Sequence, residues 1–346
     1  MRVLFVDDEP NVLSGIRRML RPHRKRWSMR FVNGGHAALA ALEEEPADLL
    51  VSDIRMPGMS GVELLLAVRE RWPTTLRMVL SGESDADALL EAVGPTHQYL
   101  CKPCRPDALV AALERMATML ELLVGPDLRA RVGTLDRLPT PPAAFAAAMA
   151  VLNDPDGTSA QLAEALRPDI GMSTAVLRVA NSAYVSSRAP VLTVERAIQL
   201  LGTNLVRAIL MVAGVLNETR DHPSIDGILQ RSREVSGRVR MLAGDAPDDV
   251  RQQAELAATL HNLGSLVMLQ LDPDGYPSIL GLDEGECRRE EIARFGTDQA
   301  TLGGYLVGVW GLPAAVMTAV ARQDDPTVDG PGHYLHRALH ALEEVA

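Results

Sequence analysis

Leu49-Leu50-Val51-Ser52-Asp53 is an apolar run that ends in an acidic residue, and the fold of the first third of the chain turns on it. A short continuous apolar run of this kind reads as a strand covered on both faces, as in a parallel sheet. Val3-Leu4-Phe5-Val6 and Met78-Val79-Leu80 read the same way, and Arg30-Phe31-Val32 and Gln98-Tyr99-Leu100 supply two more strands. Between them Val12, Leu13, Ile16 and Leu20 recur at helical spacing, as do Val62, Leu65, Leu66 and Val68. This rhythm predicts an α/β unit over residues 1–124, a doubly wound parallel five-stranded sheet whose chemistry gathers beyond the carboxyl ends of its strands.

Four strand ends each deliver polar groups to that rim: Asp7-Asp8 after the first, Asp53 after the third, Ser81 after the fourth and Lys102 after the fifth. Clustered carboxylates repel one another unless a hard divalent cation sits among them, so Mg2+ is expected. With that charge offset, Asp53 suits a nucleophile toward a phosphoryl donor, and Lys102 and the Ser81 hydroxyl suit the oxygens of the transferring group. The expected product is an aspartyl phosphate at Asp53. Taken singly, Asp7 and Asp8 are explained as a helix cap and Asp53 as a strand terminus. Together with Ser81 and Lys102 they are not.

Val6-Asp7-Asp8-Glu9, Ser52-Asp53-Ile54-Arg55-Met56-Pro57-Gly58-Met59-Ser60-Gly61, Leu80-Ser81-Gly82 and Lys102-Pro103 resemble the response-regulator receiver family across the whole first unit. The resemblance implies a flavodoxin-like fold with Asp53 as phosphoacceptor. It implies Asp8 and Asp53 as direct Mg2+ ligands, Arg55 giving a backbone carbonyl, and Asp7 a nearer or water-mediated contact. Ser81 becomes the switch hydroxyl and Tyr99 the switch aromatic, with output through a face at roughly 85–124. A cis bond before Pro103 is also implied. A sensor histidine kinase or phosphotransfer protein is the implied donor.

Gly125-Pro126-Asp127 and Leu138-Pro139-Thr140-Pro141-Pro142 break the pattern, which predicts a linker over 125–137. Beyond it the strand rhythm gives way to Ala/Leu-rich segments between turn signals, so residues 138–346 are expected to form an all-α domain. Leu152-Asn153-Asp154-Pro155, Val179-Ala180-Asn181-Ser182-Ala183-Tyr184, Ala197-Ile198-Gln199-Leu200-Leu201-Gly202, Leu260-His261-Asn262-Leu263-Gly264 and Thr297-Asp298-Gln299-Ala300 resemble, in that order, the HDOD family. HDOD domains resemble the HD metal-dependent phosphohydrolases, whose chemistry needs converging imidazoles and carboxylates to activate water. Here His261 is followed by the neutral Asn262, Gln299 stands where related sequences carry a further His, and Arg322-Gln323 replaces a His pair. The degenerate site of His261, Asn262 and Gln299 predicts an output domain without catalysis or cofactor, acting by protein–protein contact.

Gly275-Tyr276-Pro277 points the other way, toward an HD-type phosphohydrolase or cyclic-dinucleotide phosphodiesterase under receiver control, but it lacks the upstream His and Glu of that family and reads as a turn. Asn181 serves packing and loop capping or meets a partner. His333, His336 and His340 share a helix face and read as a packed terminal helix before a metal site.

The chain has 346 residues, 47% hydrophobic and 23% charged, with a formal net charge of −11. The first 124 residues hold 15 basic and 17 acidic side chains; the remainder holds 19 and 28. So acidic a second half offers no footprint for phosphates, and no nucleic-acid partner is expected. The basic cluster Arg17, Arg18, Arg21, Arg24, Lys25 and Arg26 reads as a solvated helix end and loop. No apolar run reaches membrane-spanning or leader length, so a cytoplasmic protein with no membrane association is expected, as a possible homodimer. The three cysteines fit reduced thiols; Cys101 and Cys104 flank Lys102-Pro103 and need no redox explanation.

Overall fold

The computed structural model describes residues 1–82, 96–102, 104–122, 125–135, 138, 142–154, 156–181, 190–214 and 222–340. They divide into two compact units, one formed in the main by Met1–Asp136 and the other by the residues from Arg137 onward. Among the described residues no helix is long and apolar enough to cross a membrane.

The first unit is built on β1 (Arg2–Asp7), β2 (Ser28–Asn33), β3 (Leu49–Asp53), β4 (Leu76–Gly82) and β5 (Gln98–Lys102). They form one parallel sheet in the order β2-β1-β3-β4-β5, as the apolar runs predict. Val3 to Val6 and Leu49 to Val51 are buried, since helices cover both faces of the central strands, whereas the edge strand β2 stays half-exposed. Helix α1 (Pro10–Met19) begins at a proline and buries Leu13 and Ile16; α2 spans Gly35–Glu44. Helix α3 (Gly61–Arg71) opens with a capping box: the Ser60 hydroxyl accepts from the Glu63 N–H, and the Glu63 carboxylate accepts from the Ser60 N–H. Helix α4 (Pro106–Leu122) buries Leu109, Leu113 and Met116. The six basic residues from Arg17 to Arg26 are all exposed around a short turn of 3-10 helix.

The stretch expected as a linker contains a helix, α5 (Pro126–Gly133), that belongs to the first unit. Gly125-Pro126 reads as a chain break, yet a proline is equally suited to the first position of a helix, where its missing N–H costs no bond. The anchor is Arg77, a buried cation on β4 whose guanidinium donates to the Gly133 carbonyl at 2.6 Å and to the Thr75 carbonyl at 3.2 Å. Carbonyl acceptors replace the water that a buried guanidinium would otherwise forfeit.

The described part of the second unit is helical throughout, in keeping with the all-α expectation: α6 (Pro142–Asn153), α7 (Ser159–Leu166), α8 (Ile170–Asn181), α9 (Val194–Gly214), α10 (Pro223–Leu242), α11 (Asp248–Leu260), α12 (Leu263–Leu271), α13 (Tyr276–Leu280), α14 (Glu284–Phe295), α15 (Gln299–Val309), α16 (Ala314–Ala321) and α17 (Pro331–His340). Helix α9 is broken at Gly202, which adopts φ 75°. The core runs through Val176, Ile209, Val235, Ala257 and Leu266. Asn181 closes the end of α8: its amide donates to the Leu177 and Val191 carbonyls at 3.0 and 2.8 Å, and its oxygen accepts from the Val191 N–H at 2.8 Å. Of the two roles open to Asn181, loop capping is the one its bonds perform. Ser182, Ala183 and Tyr184 lie outside the described residues.

Candidate functional site

The parallel register carries the site. Val6 pairs with Ser52, Asp53 with Leu80 and Gly82 with Lys102, so Asp7, Asp53 and Lys102 reach the same carboxyl-end rim. Asp7 is buried at 1% exposure; its Oδ1 accepts from the Glu9 N–H at 2.9 Å and its Oδ2 meets Lys102 Nζ at 2.7 Å. The same ammonium lies 3.1 Å from Asp53 Oδ1, which also accepts from the Ile54 N–H at 2.9 Å. Carboxylate oxygens of Asp7, Asp8 and Asp53 all come within 4.8 Å of one another.

Burial pushes the Asp53 carboxyl above its usual range, with the Lys102 charge working against that rise. Burial also pulls on Lys102 in the direction of neutrality, but its bond to Asp7 and the charges of Asp53 and Asp7 outweigh it and raise its pKa. Three crowded carboxylates and one cation leave an excess of negative charge, and the donors are hard oxygens, so the residues present fit Mg2+. Asp7, Asp8 and Asp53 are those that would hold it. The Arg55 side chain is exposed, leaving its carbonyl as the group it has to contribute.

Two residues absent from the sequence-based set shape this rim. Asn33 ends β2 opposite Asp7 and donates to the Asp8 carbonyl at 2.8 Å, tying down the acidic turn. Gly61 donates its N–H to the Ile54 carbonyl at 2.7 Å, and a Cβ there would sit 1.9 Å from the Asp53 carbonyl oxygen. The glycine in the Ser60-Gly61 pair is the signal for this close approach. Tyr99 is buried on β5 opposite Val79. The backbone of Ser81 continues β4 beside Cys101, while its side chain and Pro103 lie outside the described residues, as does residue 124. So do 85–95, the start of the expected output face. Cys104 is a free thiol that burial pushes up.

In the second unit the separated motifs converge. His261, Asn262, Gln299, Gln323 and Asp324 line one cavity of about 410 Å³ with Glu291 and Arg288. Gly264 permits it: a Cβ there would lie 1.9 Å from the Gln299 carbonyl oxygen, so only glycine lets the start of α12 approach the start of α15. His261 is fully buried, its pKa lowered to about 4 by burial against the pull of its bond to the Ala258 carbonyl. That carbonyl, 2.7 Å from Nδ1, only accepts, so the neutral ring carries its proton on Nδ1. Asn262 donates to the Ile228 carbonyl at 3.3 Å and to Ser232 Oγ at 3.2 Å.

Tyr276 of the Gly275-Tyr276-Pro277 tripeptide is wholly buried and donates to Glu291 Oε1 at 2.6 Å, while the other Glu291 oxygen accepts from the Gln299 N–H at 2.8 Å. Tyr276-Pro277 open α13, where a turn was expected. Glu291 sits in Glu284-Gly285-Glu286-Cys287-Arg288-Arg289-Glu290-Glu291, where nothing in the sequence distinguishes it from its solvated neighbours. His336 Nδ1 donates to the Gln323 carbonyl at 3.0 Å, and the exposed His333 stands edge-on to Tyr334, so the three terminal-helix histidines do not converge on one point.

Two family models match this chain. The HDOD domain matches residues 138–326 and the response regulator receiver domain matches residues 3–114. The hydrogenase transcriptional regulatory protein HoxA of Cupriavidus necator is 38% identical over 110 residues, which are 31% of this chain and 22% of that protein. The DNA-binding transcriptional regulator NtrC of Salmonella typhimurium is 42% identical over 82 residues, 23% of this chain and 18% of that protein. The chain thus spans only about a fifth of each of these curated relatives. The crystal structure of the MmoQ response regulator from Methylococcus capsulatus, fragment 20–298, aligns over 60% of this chain and 83% of that one, with TM-score 0.51 and 24% identity, a likeness of fold.

Proposed function

Because the chain belongs to the HDOD family and is a response regulator with a receiver domain ahead of its HDOD domain, we propose that phosphorylation of Asp53 switches a noncatalytic helical output that acts by protein–protein contact. The observation that carries the reading is the position of Lys102, whose Nζ reaches both Asp7 and Asp53 at the rim of the sheet. A receiver takes its phosphoryl group from a donor such as a histidine kinase. Asp53 Oδ1 is held by Lys102 and by the Ile54 N–H, so we assign Oδ2 as the attacking oxygen. An O–P bond forms there as the bond from phosphorus to the donor's leaving atom breaks. With Mg2+ bound, the site gains the positive charge that offsets the carboxylates and the incoming phosphoryl oxygens. Lys102 stays beside the new phosphoryl group, which adds about −1.5 to −2 charge at neutral pH. Ser81 and Tyr99 are assigned the coupling of that charge to the output.

The noncatalytic reading of the output is supported by side-chain chemistry. Asn262 is neutral and its amide is already donated to Ile228 and Ser232; Gln299 and Gln323 bring amide oxygens where imidazoles are needed. Two assays test the proposal. Hydrolysis of phosphodiesters, cyclic dinucleotides included, is expected to be absent with Mn2+ or Fe2+; turnover abolished by His261→Ala would replace the contact reading with the phosphohydrolase one. Hydrogen exchange over the helical unit is expected to change when an acyl phosphate and Mg2+ are added to wild type and not to Asp53→Asn; identical exchange in both would break the coupling.

A further inference from the structure

Arg77 is buried near the start of β4, and part of what it holds lies outside the sheet. Its guanidinium donates to the carbonyl of Gly133, the last residue of α5, and the nitrogen that does so also stands 3.3 Å from His97 Nε2. His97, the residue before β5, is fixed to β4 in turn. Its N–H donates to the Arg77 carbonyl and its Nδ1 accepts from the Arg77 N–H, both at 2.9 Å. Helix α5 is seated closely: a Cβ on Gly133 would come 2.0 Å from the Pro73 carbonyl oxygen, and Leu128 and Val132 of the same helix are buried. The second unit begins four residues beyond Gly133, at Arg137.

The same two strands carry the residues to which coupling is assigned. Ser81 lies four residues along β4 from Arg77, and Tyr99 lies two residues along from His97, paired with Val79. Strand β5 is an edge strand bonded to β4. One ladder therefore resists a shift between the two strands, and Arg77 and His97 meet such a shift at their amino ends. A buried guanidinium gives up a carbonyl acceptor only at a cost, and packed contacts switch between discrete arrangements. The setting of Arg77 and the seat of α5 are thus bound to change together. This route leaves the receiver at the opposite end of the sheet from Asp53, away from the rim that holds Asp7 and Lys102.

We propose that α5 is an output element of the receiver and Arg77 its coupling residue. Phosphorylation of Asp53 alters the setting of β5 on β4 through Ser81 and Tyr99, and the bond from Arg77 to Gly133 converts that into a change in the docking of α5, the helix from which the chain enters the second unit. The proposal rests on Asp53 as phosphoacceptor and names the element by which its state leaves the receiver.

The test is hydrogen exchange over residues 126–135 of the full chain, with and without an acyl phosphate and Mg2+, with intact mass recorded on the same samples. In wild type, exchange in α5 is expected to change as one phosphoryl group is gained. Arg77→Met removes the donor from inside the sheet, and Gly133→Ala sets a methyl group against Pro73 from the helix. Both variants should gain the phosphoryl mass and lose the response of the helical unit to it. In Arg77→Met the amides of α5 should also exchange about tenfold faster or more before phosphorylation, the scale of one lost buried bond to a charged donor. Gly133→Ala leaves the sheet untouched and decides the matter where Arg77→Met does not fold. Phosphoryl mass in wild type with unchanged exchange in α5, or a helical unit that responds undiminished in the variants, overturns the proposal. A wild type that gains no phosphoryl mass refutes the phosphoacceptor reading, and this proposal with it.

Discussion

Lys102 Nζ stands 3.1 Å from Asp53 Oδ1, close enough to hold the acceptor carboxylate and charged enough to oppose the effect of its burial. Asp7 supports the arrangement from the other side at 2.7 Å, so the lysine is fixed by two carboxylates from two neighbouring strands. Removing it tests the geometry directly. Lys102→Met is expected to slow phosphorylation of Asp53 by about 100-fold, the scale on which a preorganised donor to developing charge acts. Stopped-flow measurement with an acyl phosphate and Mg2+ checks it; an unchanged rate would make the lysine a purely structural ion-pair partner.

Gly61→Ala places a methyl group where the backbone leaves 1.9 Å to the Asp53 carbonyl oxygen. The chain around Asp53 must shift, and a loss of about 3 kcal/mol or more in receiver stability is expected, in the range of overpacking against a rigid backbone. Urea denaturation of the variant, alongside its phosphorylation rate, measures both effects. Gly15→Ala, inside the α1 helix with nothing within 4 Å of the added Cβ, is the comparison without a clash and is expected to stabilise by about 0.5–1 kcal/mol.

Tyr276→Phe removes the donor to Glu291 and leaves the ring in place. The expected loss is about 1–3 kcal/mol, that of a buried carboxyl group deprived of one partner, with no change in phosphorylation of Asp53. Loss of a catalytic activity without loss of stability would instead return the Gly275-Tyr276-Pro277 tripeptide to an enzymatic role.

His261 gives the helical unit a defined pH dependence. Its folded pKa of about 4 lies below the ordinary 6.5, so the unfolded chain takes up the proton first as pH falls. The contribution is present in full above pH 6.5 and is lost progressively toward pH 4, a total of about 3 kcal/mol by linkage. Glu291 and Asp324, whose folded pKa values are raised, bind protons more readily when folded and work in the opposite sense. Comparing wild type with His261→Asn across that window by urea denaturation isolates the histidine; equal slopes would refute the assignment.

The sheet was legible because both faces of its central strands are covered, which turns Val3-Leu4-Phe5-Val6 and Leu49-Leu50-Val51 into unbroken apolar runs that few other structures require. The acidic site was legible because strand ends in a parallel sheet share one rim, so placement along the chain fixed placement in space. Arg77 was not legible: a charge inside a strand reads as solvent-facing, and one of its carbonyl acceptors, Gly133, lies on a segment that reads as a linker. Asn262, Gln299 and Gln323 were individually visible as departures from a ligand set. That they enclose one cavity depends on the approach of Gly264 to Gln299, a contact between helices that no local pattern encodes. Glu291 was hidden for a related reason: its hydrogen-bond partner Tyr276 lies fifteen positions away in sequence.

Intact-mass measurement of the full chain after incubation with an acyl phosphate and Mg2+ tests the central claim most directly. Wild type should gain the mass of one phosphoryl group, lost again on treatment with hydroxylamine as an acyl phosphate requires, and Asp53→Asn should gain none. An equal, hydroxylamine-sensitive gain in Asp53→Asn would place the acceptor elsewhere and contradict the account.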